Sequence, residues 1–225
     1  MIRSAAVCCV ALACTAAQGG LVYGPDAHAQ FAGWHDALGG TYLDFEDKLA
    51  GTNLLPRTDP WGVGARFASI VYTNGQPFGP EHVEVSSRHG YATYGNTIVG
   101  SPFTNGSDDG RVGYEIRFDE TQARAGIQRL WNTQALTRFY NSAGELLAEH
   151  VNTTGAEFVG WVSIADDGSD RVARIVMDTS VVSGTRQVGY SDNLYFGLTI
   201  PTAGTGALVL LGCLTAGGRG RGRAG

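Results

Sequence analysis

The chain has 225 residues, of which 43% are hydrophobic and 16% charged, with 33 glycines and a formal net charge of −5. That length suits one domain plus targeting segments, and the glycine content works against long helices. With Arg3, Arg219, Arg221 and Arg223 set aside in the end segments, twelve basic residues face twenty-one acidic ones, so no basic surface is available for nucleic acid.

In chain order, residues 1–17 read as a secretory signal peptide. Arg3 supplies the basic start, an apolar run follows, and Thr15-Ala16-Ala17 offers small residues for cleavage after Ala17. A lipoprotein reading through Cys14 is disfavoured by Ala11, where leucine is usual. Residues 18–40 read as an irregular lead-in with room for one short helix. Period-two alternation with β-branched and aromatic residues then predicts strands at 41–47, 66–73, 111–118, 136–142, 157–165, 171–178 and 188–197. Turn chemistry separates them, as in "TNGSDDG", "NSAGE" and "ADDGSD". The prediction is an all-β domain over 41–197, an antiparallel β-sandwich of jelly-roll type. The four cysteines, Cys8, Cys9, Cys14 and Cys213, all fall in the end segments. A disulfide framework, a cysteine zinc site and a cysteine nucleophile are thereby excluded from the body.

Residues 198–225 read as a tail with its own address. No charge occurs from Ile200 to Gly218, a stretch that would span about 28 Å as a helix, near the hydrocarbon thickness of a bilayer. Arg219, Arg221 and Arg223 follow and would stay on the cytoplasmic side. This order resembles the PEP-CTERM class of bacterial sorting signal. Pro201-Thr202-Ala203-Gly204 stands where the family has Pro-Glu-Pro, so the motif is a variant. The resemblance implies recognition by an exosortase-type membrane enzyme, a membrane pause through the tail, and delivery to the cell surface or an exopolysaccharide matrix. The alternative is a plain single-span anchor.

The body carries a second resemblance. It opens with "LDFEDKLAG" and closes with "YSDNLYFG". Jelly-roll carbohydrate-binding modules open and close with similar strands, and in them a structural calcium is held by the Glu of the first and the first Asp of the second. The resemblance implies calcium ligands at Glu46 and Asp192, although Lys48 occupies the position expected to be glycine. Side-by-side terminal strands would also bring Asp44 or Asp47 close, and carboxylates so placed repel unless a cation lies between them.

Stacking on sugar rings needs exposed aromatic faces, for which Trp61, Phe78, Tyr91 and Tyr94 are the candidates, Trp61, Tyr91 and Tyr94 foremost; Trp131 and Trp161 read as core. The five histidines have no metal-ligand spacing and read as surface residues, and no nucleophile elbow or phosphate loop occurs. The expectation is an exported, non-catalytic sandwich with a structural calcium and glycan contact. A glycan-active hydrolase or lyase and a purely structural or adhesive module are the alternatives.

Overall fold

The computed structural model describes residues 20–49, 52–54, 57–69, 83–86, 97–99, 114–130, 135–152, 156–178 and 190–201. The expected signal segment, Phe78, Tyr91, Tyr94, and the tail from Thr202 through Arg219, Arg221 and Arg223 lie outside these residues. Among the described residues no helix is long and apolar enough to cross a membrane.

The described elements run β1 (Gly20–Tyr23), α1 (Ala27–Leu38), β2 (Thr41–Leu43), β3 (Asn53–Leu54), β4 (Ala65–Ser69), β5 (Val83–Ser86), β6 (Thr97–Val99), β7 (Tyr114–Gln122), β8 (Arg124–Leu130), β9 (Ala135–Tyr140), β10 (Leu146–Asn152), β11 (Glu157–Val162), β12 (Val172–Asp178) and β13 (Tyr190–Gly197). They form two stacked antiparallel sheets, a β-sandwich. The eight-stranded sheet is ordered β1-β11-β8-β13-β6-β5-β3, with β2 added against β13; the five-stranded sheet is ordered β10-β9-β12-β7-β4. The lead-in is more regular than its sequence suggested: β1 extends the larger sheet along β11, and α1 has twelve residues.

Strand alternation sends one set of side chains between the sheets. From the larger sheet these include Ala125, Ile127, Val159, Leu194 and Phe196; from the smaller, Phe67, Tyr114, Ile116, Phe118, Phe139, Ile175 and Met177. The alternation that predicted these strands is therefore the alternation that fills the core.

The opposite face of the larger sheet is covered by α1. Gly126 and Gly160 are cross-strand partners, and their missing side chains leave a hollow. Phe31 of α1 and Phe158 of β11 fill it. A Cβ on Gly160 would lie 2.4 Å from Phe31 Cζ, and one on Gly126 2.6 Å from Phe158 Cε1. Phe31, Phe158, Val162, Tyr195 and Ala27 form this second apolar cluster.

Arg124 ties the ends of the domain together. Its guanidinium donates to the carbonyl of Gly39, just past α1, and to that of Thr199, just past β13, the latter at 2.5 Å. Gly197 leaves the necessary space, since a Cβ there would lie 2.7 Å from Nη2. Arg124→Ala is expected to cost about 2–4 kcal/mol, because it removes two charge-assisted hydrogen bonds and strips the carbonyls of their donor. A urea titration monitored by tryptophan fluorescence checks this.

The chain crosses between the sheets after β11 through "ADDGSD", which forms a turn. Asp170 holds it, accepting from the Ile164 and Ala165 amides at 2.7 and 3.1 Å and from the Ser163 hydroxyl. Burial pushes the Asp170 carboxyl up, but these donors outweigh it and hold the group below the usual range.

Candidate functional site

The first predicted strand and the last do lie side by side. β2 pairs with β13 with Leu43 opposite Leu194, Tyr42 opposite Tyr195 and Thr41 opposite Phe196. β2 ends at Leu43, four residues short of the sequence expectation, because Phe45 takes a left-handed conformation (φ 61°). That turn drops Phe45 fully into the core while Asp44 and Glu46, on either side, stay exposed. The Asp44 carboxylate accepts the Glu46 amide N–H at 3.2 Å, which closes the turn around Phe45.

Across the ladder, β13 carries a bulge between Asp192 and Tyr195. At its centre Asn193 is also left-handed (φ 48°). A bulky or non-glycine residue in this region costs free energy, and such strain gathers at functional sites. Among the described residues, two of the three non-glycine positive-φ residues flank the predicted calcium carboxylates. The Asn193 side chain is fixed at both ends: Tyr42 donates its hydroxyl proton to Oδ1 at 2.6 Å, and Nδ2 donates to Gln128 Oε1 at 2.6 Å.

Asp192 sits in this arrangement only 5% exposed. Its carboxylate accepts the Asn193 amide at 2.7 Å and Asn193 Nδ2 at 3.3 Å. Burial is the main force pushing its carboxyl up to about 7; the Asn193 amide opposes, and the charges of Glu46 and Asp44 push further upward. Asp192, Glu46 and Asp44 are thus close enough to repel. Among the described residues no group of three or more His, Cys, Asp or Glu is gathered to hold a metal ion. A cation here would use Asp192 and Glu46 and take its remaining oxygens from backbone carbonyls, a mixture calcium accepts.

Trp61 is placed under the same end of the domain. Its ring meets Phe45 edge-on at 5.4 Å and Phe67 at 5.3 Å, and Lys48 Nζ lies 5.6 Å from its centroid. Its indole N–H donates to Asp47 at 2.5 Å. Trp61 therefore braces the Phe45 turn that presents Asp44 and Glu46. Trp161 packs against the core as expected and donates to the Asp170 carbonyl at 2.8 Å; Trp131 lies outside the described residues.

Three of the five histidines differ from the expectation of surface residues; His82 and His89 lie outside the described residues. His28 stacks at 5.4 Å on Phe158, and burial lowers its pKa. His35 lies against Tyr195 with a buried Nδ1, and His150 bonds Glu157 at 3.1 Å. All three are half-buried, because the helix and the sheet edges cover them.

No protein-family model matches this chain, and no curated protein is similar to it.

Proposed function

We propose that this chain is an exported, non-catalytic β-sandwich of jelly-roll type, sorted to the bacterial surface or an exopolysaccharide matrix and stabilised by a structural calcium at Asp192 and Glu46. The observation that carries the reading is the β2–β13 pairing, which sets Asp44 and Glu46 against the buried Asp192 at two strained backbone positions. Neutralising that repulsion requires protons or a cation, and outside the cell calcium supplies the cation. Glycan contact is assigned to Tyr91 and Tyr94, on their chemistry as stacking surfaces, and not to Trp61, whose ring is taken up by Phe45, Phe67 and Lys48. The membrane pause and the sorting enzyme are assigned to the tail, on its resemblance to PEP-CTERM signals.

The testing experiment is calorimetric titration of calcium into the EDTA-stripped protein. The reading expects one calcium per chain, with Glu46→Gln and Asp192→Asn each removing the binding heat. Absence of heat in the parent protein contradicts it. For the address, the exported protein is expected to have an intact mass lacking both residues 1–17 and the arginine-containing tail. A mature form ending at Gly225 would replace sorting with a simple anchor.

One observation favours a second reading. A carboxyl raised to about 7 beside another carboxylate is the pairing a glycan hydrolase uses as general acid and partner. The two readings separate on substrate turnover. A hydrolase loses glycan cleavage in Asp192→Asn, whereas the calcium module has none to lose.

A further inference from the structure

The sandwich core contains one layer unlike the rest. Along the inner face of the larger sheet, Glu157, Arg129 and Ser191 lie in one cross-strand row. Along the inner face of the smaller sheet, His150, Thr137, Met177 and Tyr114 form another. The rows face each other. His150 bonds Glu157 across one edge at 3.1 Å, and Tyr114 lies within electrostatic reach of Arg129 and beside the Ser191 hydroxyl. The neighbouring layer is apolar, with Ile127 and Val159 opposite Phe139, Ile175, Ile116 and Phe67.

Arg129, Tyr114, Thr137 and Ser191 are all fully buried. None of the three guanidinium nitrogens of Arg129 has a hydrogen-bond partner, nor do the hydroxyls of Tyr114, Thr137 and Ser191. The Tyr114 and Ser191 hydroxyls adjoin without forming a well-directed bond. An uncompensated buried charge is among the costliest features a fold can carry. Glu157, the cross-strand partner of Arg129, is bonded to His150 instead. The layer is therefore rich in donors and short of acceptors. A guanidinium presents five N–H groups and accepts nothing, and each hydroxyl adds one rotatable donor.

We infer that this layer is an internal binding site for one small monovalent anion, a halide or a small carboxylate, held by the Arg129 guanidinium with the Tyr114 and Ser191 hydroxyls. The complete burial of Arg129 limits the ligand to a few atoms and excludes a polysaccharide chain. This site uses different side chains from the calcium proposal, although the Asp192 charge reaches Tyr114. Asp192 belongs to the opposite face of β13, paired with Gln128, while Ser191 pairs with Arg129 on the inner face.

The test is thermal melting of the full chain in sodium chloride, sodium formate or sodium gluconate at one ionic strength, with EDTA in every arm. The melting temperature is expected to rise with chloride or formate and to saturate, as for a ligand that binds only the folded state, while bulky gluconate leaves it unchanged. The arm that responds at lower concentration distinguishes halide from carboxylate. Arg129→Met is expected to fold and to lose the dependence, and Tyr114→Phe to raise the half-saturating concentration about tenfold, the effect of losing one hydrogen bond to a charged ligand. Crystals grown in bromide give an independent readout, with an anomalous peak expected against the guanidinium. Identical melting in all three salts, an unchanged dependence in Arg129→Met, or ordered water alone at the guanidinium overturns the inference.

Discussion

Phe31→Ala is expected to destabilise the domain by about 3–5 kcal/mol, the cost of emptying a closed aromatic site. Phe31 is fully buried and meets Phe158 at 4.9 Å and Trp34 at 5.1 Å. The hollow beneath it is made by the backbones of Gly126 and Gly160, which strand pairing holds in place, so little can collapse into the space. Filling the hollow from below acts through the same contact. Gly160→Ala puts a methyl group into the Phe31 ring and is expected to cost about 1–3 kcal/mol. The two changes compete for one volume, so combined they should cost less than their sum. Equilibrium urea denaturation of both single variants and the double variant checks this. Full additivity would show that α1 does not dock over the glycine pair.

Asp192→Asn is expected to stabilise the metal-free protein above pH 7, by about 2–4 kcal/mol. The sign follows from the raised carboxyl, about 7 in the folded chain against an ordinary 3.8. Between those values the folded state holds a proton that the unfolded state has released. Stability through this group is therefore full at acid pH, falls as pH rises from about 4 to about 7, and is level beyond. The amide removes both the charge and the dependence while retaining an acceptor for the Asn193 N–H. Melting curves from pH 4 to 9 in EDTA report the effect as a slope present in the parent and reduced in the variant.

Much of the sandwich was legible because core-facing alternation leaves a direct trace. Residues 171–178 and 188–197 read as strands and contain β12 and β13, where Ile175 and Met177, and Leu194 and Phe196, alternate into the core. β8 was hidden by its own chemistry. In "RAGIQRL", two charged residues interrupt the apolar pattern, yet Arg124 ties the domain ends together and Arg129 lies in the core. β10 was hidden by position. It is an edge strand with Leu146 and Val151 exposed, so its burial follows no clean alternation. The helix lacks a strong apolar stripe because only Ala27 and Phe31 are buried among its residues.

The candidate site divides in the same way. The approach of Glu46 to Asp192 was legible because it depends only on which strands neighbour one another. The left-handed turns at Phe45 and Asn193 were not, because Phe rarely adopts positive φ and Asn, though enriched there, adopts it at a minority of positions. Trp61 was ambiguous between a sugar platform and a plug. Its bond to Asp47 and its packing on Phe45 and Phe67 depend on a turn geometry that no periodicity encodes.

The most direct measurement is a thermal melt of the full chain at pH 8 in excess EDTA and in millimolar calcium, with Asp192→Asn and Glu46→Gln alongside. Calcium is expected to raise the parent's melting temperature, by about 2.7 kcal/mol of stability at a hundredfold excess over its dissociation constant, and to leave both variants unmoved. Superimposed parent curves with and without calcium would contradict that expectation, and would leave Asp192 as a buried carboxylate held by the Asn193 donors rather than by a metal.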